Sequence, residues 1–216
     1  MNKIKLLYDV VKTMKEKEVF EGRLNVEGKK DEISVLSLVN KFAANHQSGD
    51  VKADISLEVD CQGNKVKHES SLEFNKKCCP GHLHHQFKHD ASDHGSCCGI
   101  KSKLSKIAFA LNALNNLKAE EQGDKVVLSL NLKEVAGDEF CCLHKNLADA
   151  HNGECCKHHE HFKEFMDMDC ESCDITILIN KNNEIEKVEV QVKGTKCCES
   201  GDTCIQNLNA VLSLNW

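Results

Sequence analysis

The sequence predicts an α+β protein in which an internally duplicated helix-plus-four-strand unit forms a curved antiparallel sheet with two helices packed on one face, plus two Cys/His-rich loop insertions. Three observations predict it. The hydrophobic period changes from that of a helix to that of strands. This change occurs twice, the second time about one hundred residues after the first. Between the runs of strand, periodicity stops at two places where cysteine and histidine take over.

The first helix falls in residues 2–17, where Ile4, Leu7, Val11 and Met14 recur at spacings of three, four and three, the apolar stripe of an amphipathic helix. Alternation then takes over. Phe20, Leu24 and Val26 alternate with Glu21, Arg23 and Asn25, and a less regular strand covers Ile33 to Val39. "VKADISLEVDC" sends Val51, Ala53, Ile55, Leu57, Val59 and Cys61 to one face, and "KVKHESSLEF" repeats the pattern with Val66, Leu72 and Phe74. Gly63 and Asn64 between them carry a hairpin signal. The second helix, in "SKLSKIAFALNALNNLK", places Leu104, Ile107, Leu111 and Leu114 at the same three, four, three spacing. Four strands answer it: Val126 to Leu132, Ile175 to Ile179, Val188 to Val192, and Leu208 to Trp216.

Residues 1–75 thus form a first α-β repeat, 76–100 a Cys/His-rich metal-binding insertion, and 101–216 a second repeat carrying its own insertion at 138–173. Short turns favour antiparallel meanders. In element order this is similar to the lipoprotein-carrier fold and other ligand-cradling α+β folds, a likeness of topology that implies an apolar ligand held on the curved sheet.

Composition narrows the function. The formal net charge is −6 and Arg23 is the only arginine, so the guanidinium forks that grip phosphate and guanine are nearly lacking, which argues against nucleic acid as a partner. The leading apolar stretch is broken by Lys5, Asp9 and Lys12, a poor export signal, and no run of apolar residues is long enough to span a membrane. A cytoplasmic location is therefore expected, where thiols stay reduced and clustered cysteines bind metal or do redox chemistry.

Of the 14 cysteines and 12 histidines, most lie in two segments of matched content. "CCPGHLHHQFKHDASDHGSCC" holds Cys78, Cys79, Cys97 and Cys98 with His82, His84, His85, His89 and His94. "CCLHKNLADAHNGECCKHHEH" holds Cys141, Cys142, Cys155 and Cys156 with His144, His151, His158, His159 and His161. Thiolate sulfur and imidazole nitrogen are the donors of tetrahedral zinc, and ligands a few residues apart let one loop close around one ion. "CESC" adds Cys170 and Cys173, and "CCESGDTC" adds Cys197, Cys198 and Cys204 in a loop before the last strand. Those additions are expected to share one rim of the sheet with the second segment. Met166 and Met168 lie near these cysteines, soft donors in type but with helix packing as the commoner use; Cys61 is expected as a small buried hydrophobe and His68 as a core or rim histidine.

Zinc is the first choice of ion. Copper(I), nickel or another soft metal also suits the donors, and an iron–sulfur cluster ranks behind them because so many histidines accompany the thiols. The leading function is a metal-binding protein for storage, buffering, sensing or delivery. A carrier of an apolar ligand, with a cavity lined by Ile55, Leu57, Leu130 and Ile177, is the alternative. A metal- or thiol-dependent enzyme ranks behind both, since the ligand surplus suits closed sites and no nucleophile motif is present. Oligomeric state is not legible from the sequence.

Overall fold

The structure, a computed structural model, describes residues 2–61, 63–75, 100–136, 168–197 and 203–216. Helix α1 (Lys3–Glu16) opens on Asn2, whose side-chain oxygen accepts from the Lys5 N–H at 3.1 Å. That bond meets one of the amide donors that a helix start leaves without a partner. Strands β1 (Val19–Lys30), β2 (Ile33–Asn45), β3 (Asp50–Cys61) and β4 (Asn64–Asn75) follow as a meander. Asp31 and Glu32, at φ 48° and 67°, make the tight turn from β1 to β2. After helix α2 (Ile100–Asn116) come β5 (Lys118–Gln122), β6 (Lys125–Asn131) and the single-turn helix α3 (Leu132–Ala136). The chain ends on β7 (Asp169–Ile179), β8 (Ile185–Cys197) and β9 (Thr203–Asn215).

All nine strands among the described residues join one antiparallel sheet in the order β4-β3-β2-β1-β9-β8-β7-β6-β5. The two halves meet where β1 pairs with β9. Register aligns residues across the sheet in rungs. One rung runs Cys173, Val192, Leu208, Gly28, Leu36, Val59 and Val66; the next runs Leu130, Ile175, Val190, Ala210, Val26, Leu38, Leu57 and His68. Because side chains alternate along a strand, these rungs lie on the same, apolar face. Leu36 and Val59 form one buried cluster there, packed by Val35, Leu57 and Leu208. Val10 of α1 forms the other with Leu117, Leu128 and Ile179.

The expected α+β architecture is corrected by this arrangement. Among the described residues strand far outweighs helix, a sheet-dominated fold rather than one with two helices packed on a face. The physical reason lies in the lengths and the seating. Most strands run 11 to 13 residues, and α1 reaches only one end of the sheet. On α2, Ile107 and Leu111 are 55% and 56% exposed, so these two residues of its predicted stripe are not buried against the sheet.

The stripe of α1 is also rotated from its predicted phase: Val10 is buried with Leu6, Leu7 and Met14 around it, whereas Ile4 and Val11 face solvent. Among the described residues the second half has five strands instead of four, because β5, "KAEEQ", carries a single apolar residue and gives no alternation to detect. Among the described residues no helix is long and apolar enough to cross a membrane.

Candidate metal centre

One rim of the sheet collects the described cysteines: Cys170, Cys173, Cys197 and Cys204 on β7, β8 and β9, with Cys61 at the end of β3 several strands away. At this rim β6 ends at Asn131, α3 follows, and β7 re-enters with Asp169 opposite Thr195. Cys197 closes β8 and Cys204 is the second residue of β9, opposite Lys196. Both ends of the second Cys/His segment are therefore anchored here. The first segment departs from the opposite rim, after Asn75, which pairs with Asp50.

Cys170 and Cys173 lie inside β7 rather than in a loop ahead of it, which shortens the expected insertion at its far end. In a regular strand a separation of three puts two side chains on opposite faces. Here the register shifts between Cys170 and Ser172, so Glu171 is an extra, bulged residue. Cys170 then pairs with Gly194 and Cys173 with Val192, two residues apart on β8, and the bulge returns both thiols to one face. Cys204 belongs to that face too, since Gly194 is opposite Gln206 and Lys196 opposite Cys204. Cys197, opposite Thr203, falls on the other face and is exposed.

Neighbouring contacts hold these positions. The Lys133 ammonium on α3 donates to the Cys170 carbonyl at 3.2 Å. Asp31, in the β1–β2 turn, donates its N–H to the Ile205 carbonyl and accepts the Ile205 N–H on its carboxylate, both at 2.9 Å, which fixes the start of β9 beside Cys204. The thiols of Cys170 and Cys204 donate to the carbonyls of Ser172 and Lys196, each at 3.3 Å. The start of β7 folds closely over Gly194, where an added Cβ would sit 3.1 Å from the Met168 sulfur. Met168 is buried, so a thioether joins the thiols on this side.

Gln206 is fully buried, and both its amide oxygen and nitrogen lack a hydrogen-bond partner. A buried amide without partners is rare and marks a place where a polar group is wanted. In "CIQNLNAVLSL" alternation gives Gln206 the inward parity of Cys204 and Leu208, and Gly194 interrupts the alternation of β8, so both positions carry a sequence signal of their own.

Burial pushes the Cys173 thiol up from its ordinary value of 9.0 to about 11, and the neighbouring Cys170 and Asp174 charges add to it. Cys173 is thus a protonated, poorly nucleophilic thiol at neutral pH. The metal-free folded protein keeps this proton to about pH 11, whereas the unfolded chain releases it near 9. In that window the unfolded state binds fewer protons, so stability falls as pH rises. Urea midpoints of the metal-free, reduced protein are expected to fall more steeply across this window than those of Cys173→Ala. Parallel profiles would contradict the shift.

Among the described residues, no three His, Cys, Asp or Glu side chains form a group able to hold a metal ion. Cys170 and Cys173 share one face of β7, and Cys204 lies two strands away on the same face. Cys78, Cys79, His82, His84, His85, His89, His94, Cys97, Cys98, Cys141, Cys142, His144, His151, Cys155, Cys156, His158, His159, His161 and Cys198 lie outside the described residues. His68 sits exposed on β4 opposite Leu57. The residues expected to line an apolar cavity do not meet: Ile55 and Leu57 are on β3, Leu130 and Ile177 on β6 and β7, with β2, β1, β9 and β8 between.

No family model and no curated protein matches the chain. Among solved structures, an N-terminal dehydratase from the difficidin assembly line is 10% identical over 97% of this chain and 82% of its own, with a TM-score of 0.16. A fusion DH domain is 13% identical over 98% of this chain and 76% of its own, with a TM-score of 0.15. Likeness at that level carries no argument about fold or function.

Proposed function

We propose that the protein binds a thiophilic metal ion, zinc first, through the Cys170/Cys173 clip completed by donors from the second Cys/His segment. One observation carries the reading. The bulge at Glu171 turns two thiols that a regular strand would separate onto the face that also bears Cys204, at the rim where both ends of residues 137–167 are anchored. A two-thiol clip, with imidazoles and further thiols in the chain that joins its flanking elements, suits a closed, four-donor zinc site. The buried amide of Gln206, on the residue opposite Gly194, and the thioether of Met168, close to Gly194, would give that site a partly polar, sulfur-containing wall.

The thiols must lose their protons to bind, and Cys173 gives its proton up reluctantly. Affinity is therefore expected to rise with pH and binding to release protons. The sheet has its own buried clusters, so chelation is expected to leave the strands folded. The test is metal content by mass spectrometry, with a thiol count, on protein purified anaerobically without chelator. The expected result is zinc in the wild type and at least one equivalent less in Cys170→Ser/Cys173→Ser, with thiols shielded until chelator is added. Equal metal content in the two proteins would remove the clip from the site. Absence of metal in both, even after zinc is supplied, would reject metal binding.

A further inference from the structure

The two edges of the sheet differ in the way that matters for association. A sheet edge offers backbone donors and acceptors to any other strand, and proteins blunt such edges by making them short, bulged or charged. Edge strand β5 is blunted: it has five residues, "KAEEQ". Among the described residues β4 is the other edge strand; it has twelve residues, pairs with β3 without a register shift, and contains no proline. It also exposes apolar side chains where a monomer gains nothing from them, with Val66 53%, Leu72 50% and Phe74 40% exposed.

The charges on β4 are segregated rather than mixed. Lys65 and Lys67 occupy its first half, and Glu69 and Glu73 its second. Such a strand is complementary to itself when run antiparallel.

From this pattern we propose that β4 is the seam of a homodimer, in which two copies join edge to edge into one continuous sheet about a two-fold axis through Ser70. In that register Lys67 faces Glu73 of the second copy, Val66 faces Phe74, His68 faces Leu72 and Glu69 faces Ser71. No like charges meet. Each pairing occurs twice, as an isologous interface requires. Because the axis stands perpendicular to the sheet, the apolar faces of the two copies run on into each other. The competing pairs within one chain, Lys67 with Glu69 at 2.7 Å and Lys52 with Glu73 at 3.0 Å, are well exposed and are exchanged at little cost. A register centred one residue earlier, on Glu69, would instead set the two copies of Glu69 against each other, and cross-strand like charges are unfavourable.

Sedimentation velocity tests this, with reductant and chelator present so that neither disulfides nor metal can bridge copies. The wild type is expected at twice the 24.1 kDa monomer mass. Lys67→Glu places like charges opposite each other at two symmetric points and is expected to raise the dimer dissociation constant about tenfold or more. Lys67→Glu combined with Glu73→Lys restores opposite charges in the same register and is expected to return the dimer. Position 67 is exposed, so far-ultraviolet circular dichroism should be unchanged in both variants. A monomeric wild type, a single variant that dimerises as tightly as wild type, or a double variant that stays monomeric would each overturn the proposal.

Discussion

Gly194→Ala is expected to destabilise the protein by about 2–3 kcal/mol, the range of an overpacked interior. A Cβ at this position would lie 2.5 Å from the Asp169 carbonyl oxygen and 3.1 Å from its carbon, as well as 3.1 Å from the Met168 sulfur. The sulfur ends a flexible side chain and can move. The carbonyl belongs to the strand that carries Cys170, so relief requires the start of β7 to lift off β8. The variant is therefore expected to lose metal as well as stability, without touching a ligand.

Gly22→Ala is the control, because its Cβ would meet the far end of the Phe42 ring, at 2.3 Å from Cζ, and a ring can turn aside. It should cost less than Gly194→Ala. Urea midpoints of the two variants and the wild type decide the matter; a Gly194→Ala midpoint equal to wild type would show that the rim is not tightly closed over β8.

Much of the strand layout was legible because alternation is a local signal. Val51 to Cys61, Val188 to Val192 and Leu208 to Leu214 all fall within strands placed where period two placed them. The balance between sheet and helix was not legible, since a helical stripe such as Ile107 and Leu111 looks the same whether or not a sheet receives it. Nor was the phase of α1. Val10 and Val11 are adjacent valines, and only the position of Leu128 and Ile179 on the sheet decides which of them is buried.

At the candidate site the residue types were legible but the device that aligns them was not. "CESC" has the same spacing in a loop, a helix or a bulged strand. The extra residue at Glu171 is set by the register of β7 against β8 and not by the local spacing of the cysteines. Gln206 is instructive in the other direction. Strict alternation in "CIQNLNAVLSL" puts an amide on the buried face, and a polar residue at an inward position was a signal that something besides packing is required there.

Leu128→Ala is expected to be the more damaging core change, at about 3–4 kcal/mol, because the side chain is fully buried and its removal leaves a cavity between α1 and the sheet. That is a large share of the few kcal/mol that keep a domain folded, so the thermal midpoint should drop by many degrees. Val10, on the helix side of the same cluster, allows a sharper question. If α1 is seated on the sheet through this contact, Leu128→Ala and Val10→Ala share one loss, and the double variant should fall short of the sum of the singles by about 0.5 kcal/mol or more. Ile107→Ala on α2 should cost under about 0.5 kcal/mol, because its side chain is exposed. Additive losses at Val10 and Leu128 would mean that α1 does not depend on this seat. The pair also separates the core from the rim. Leu128 pairs with Ile177, and the thiols lie toward the other end of β7, so a folded Leu128→Ala protein should keep its metal content while Gly194→Ala loses it.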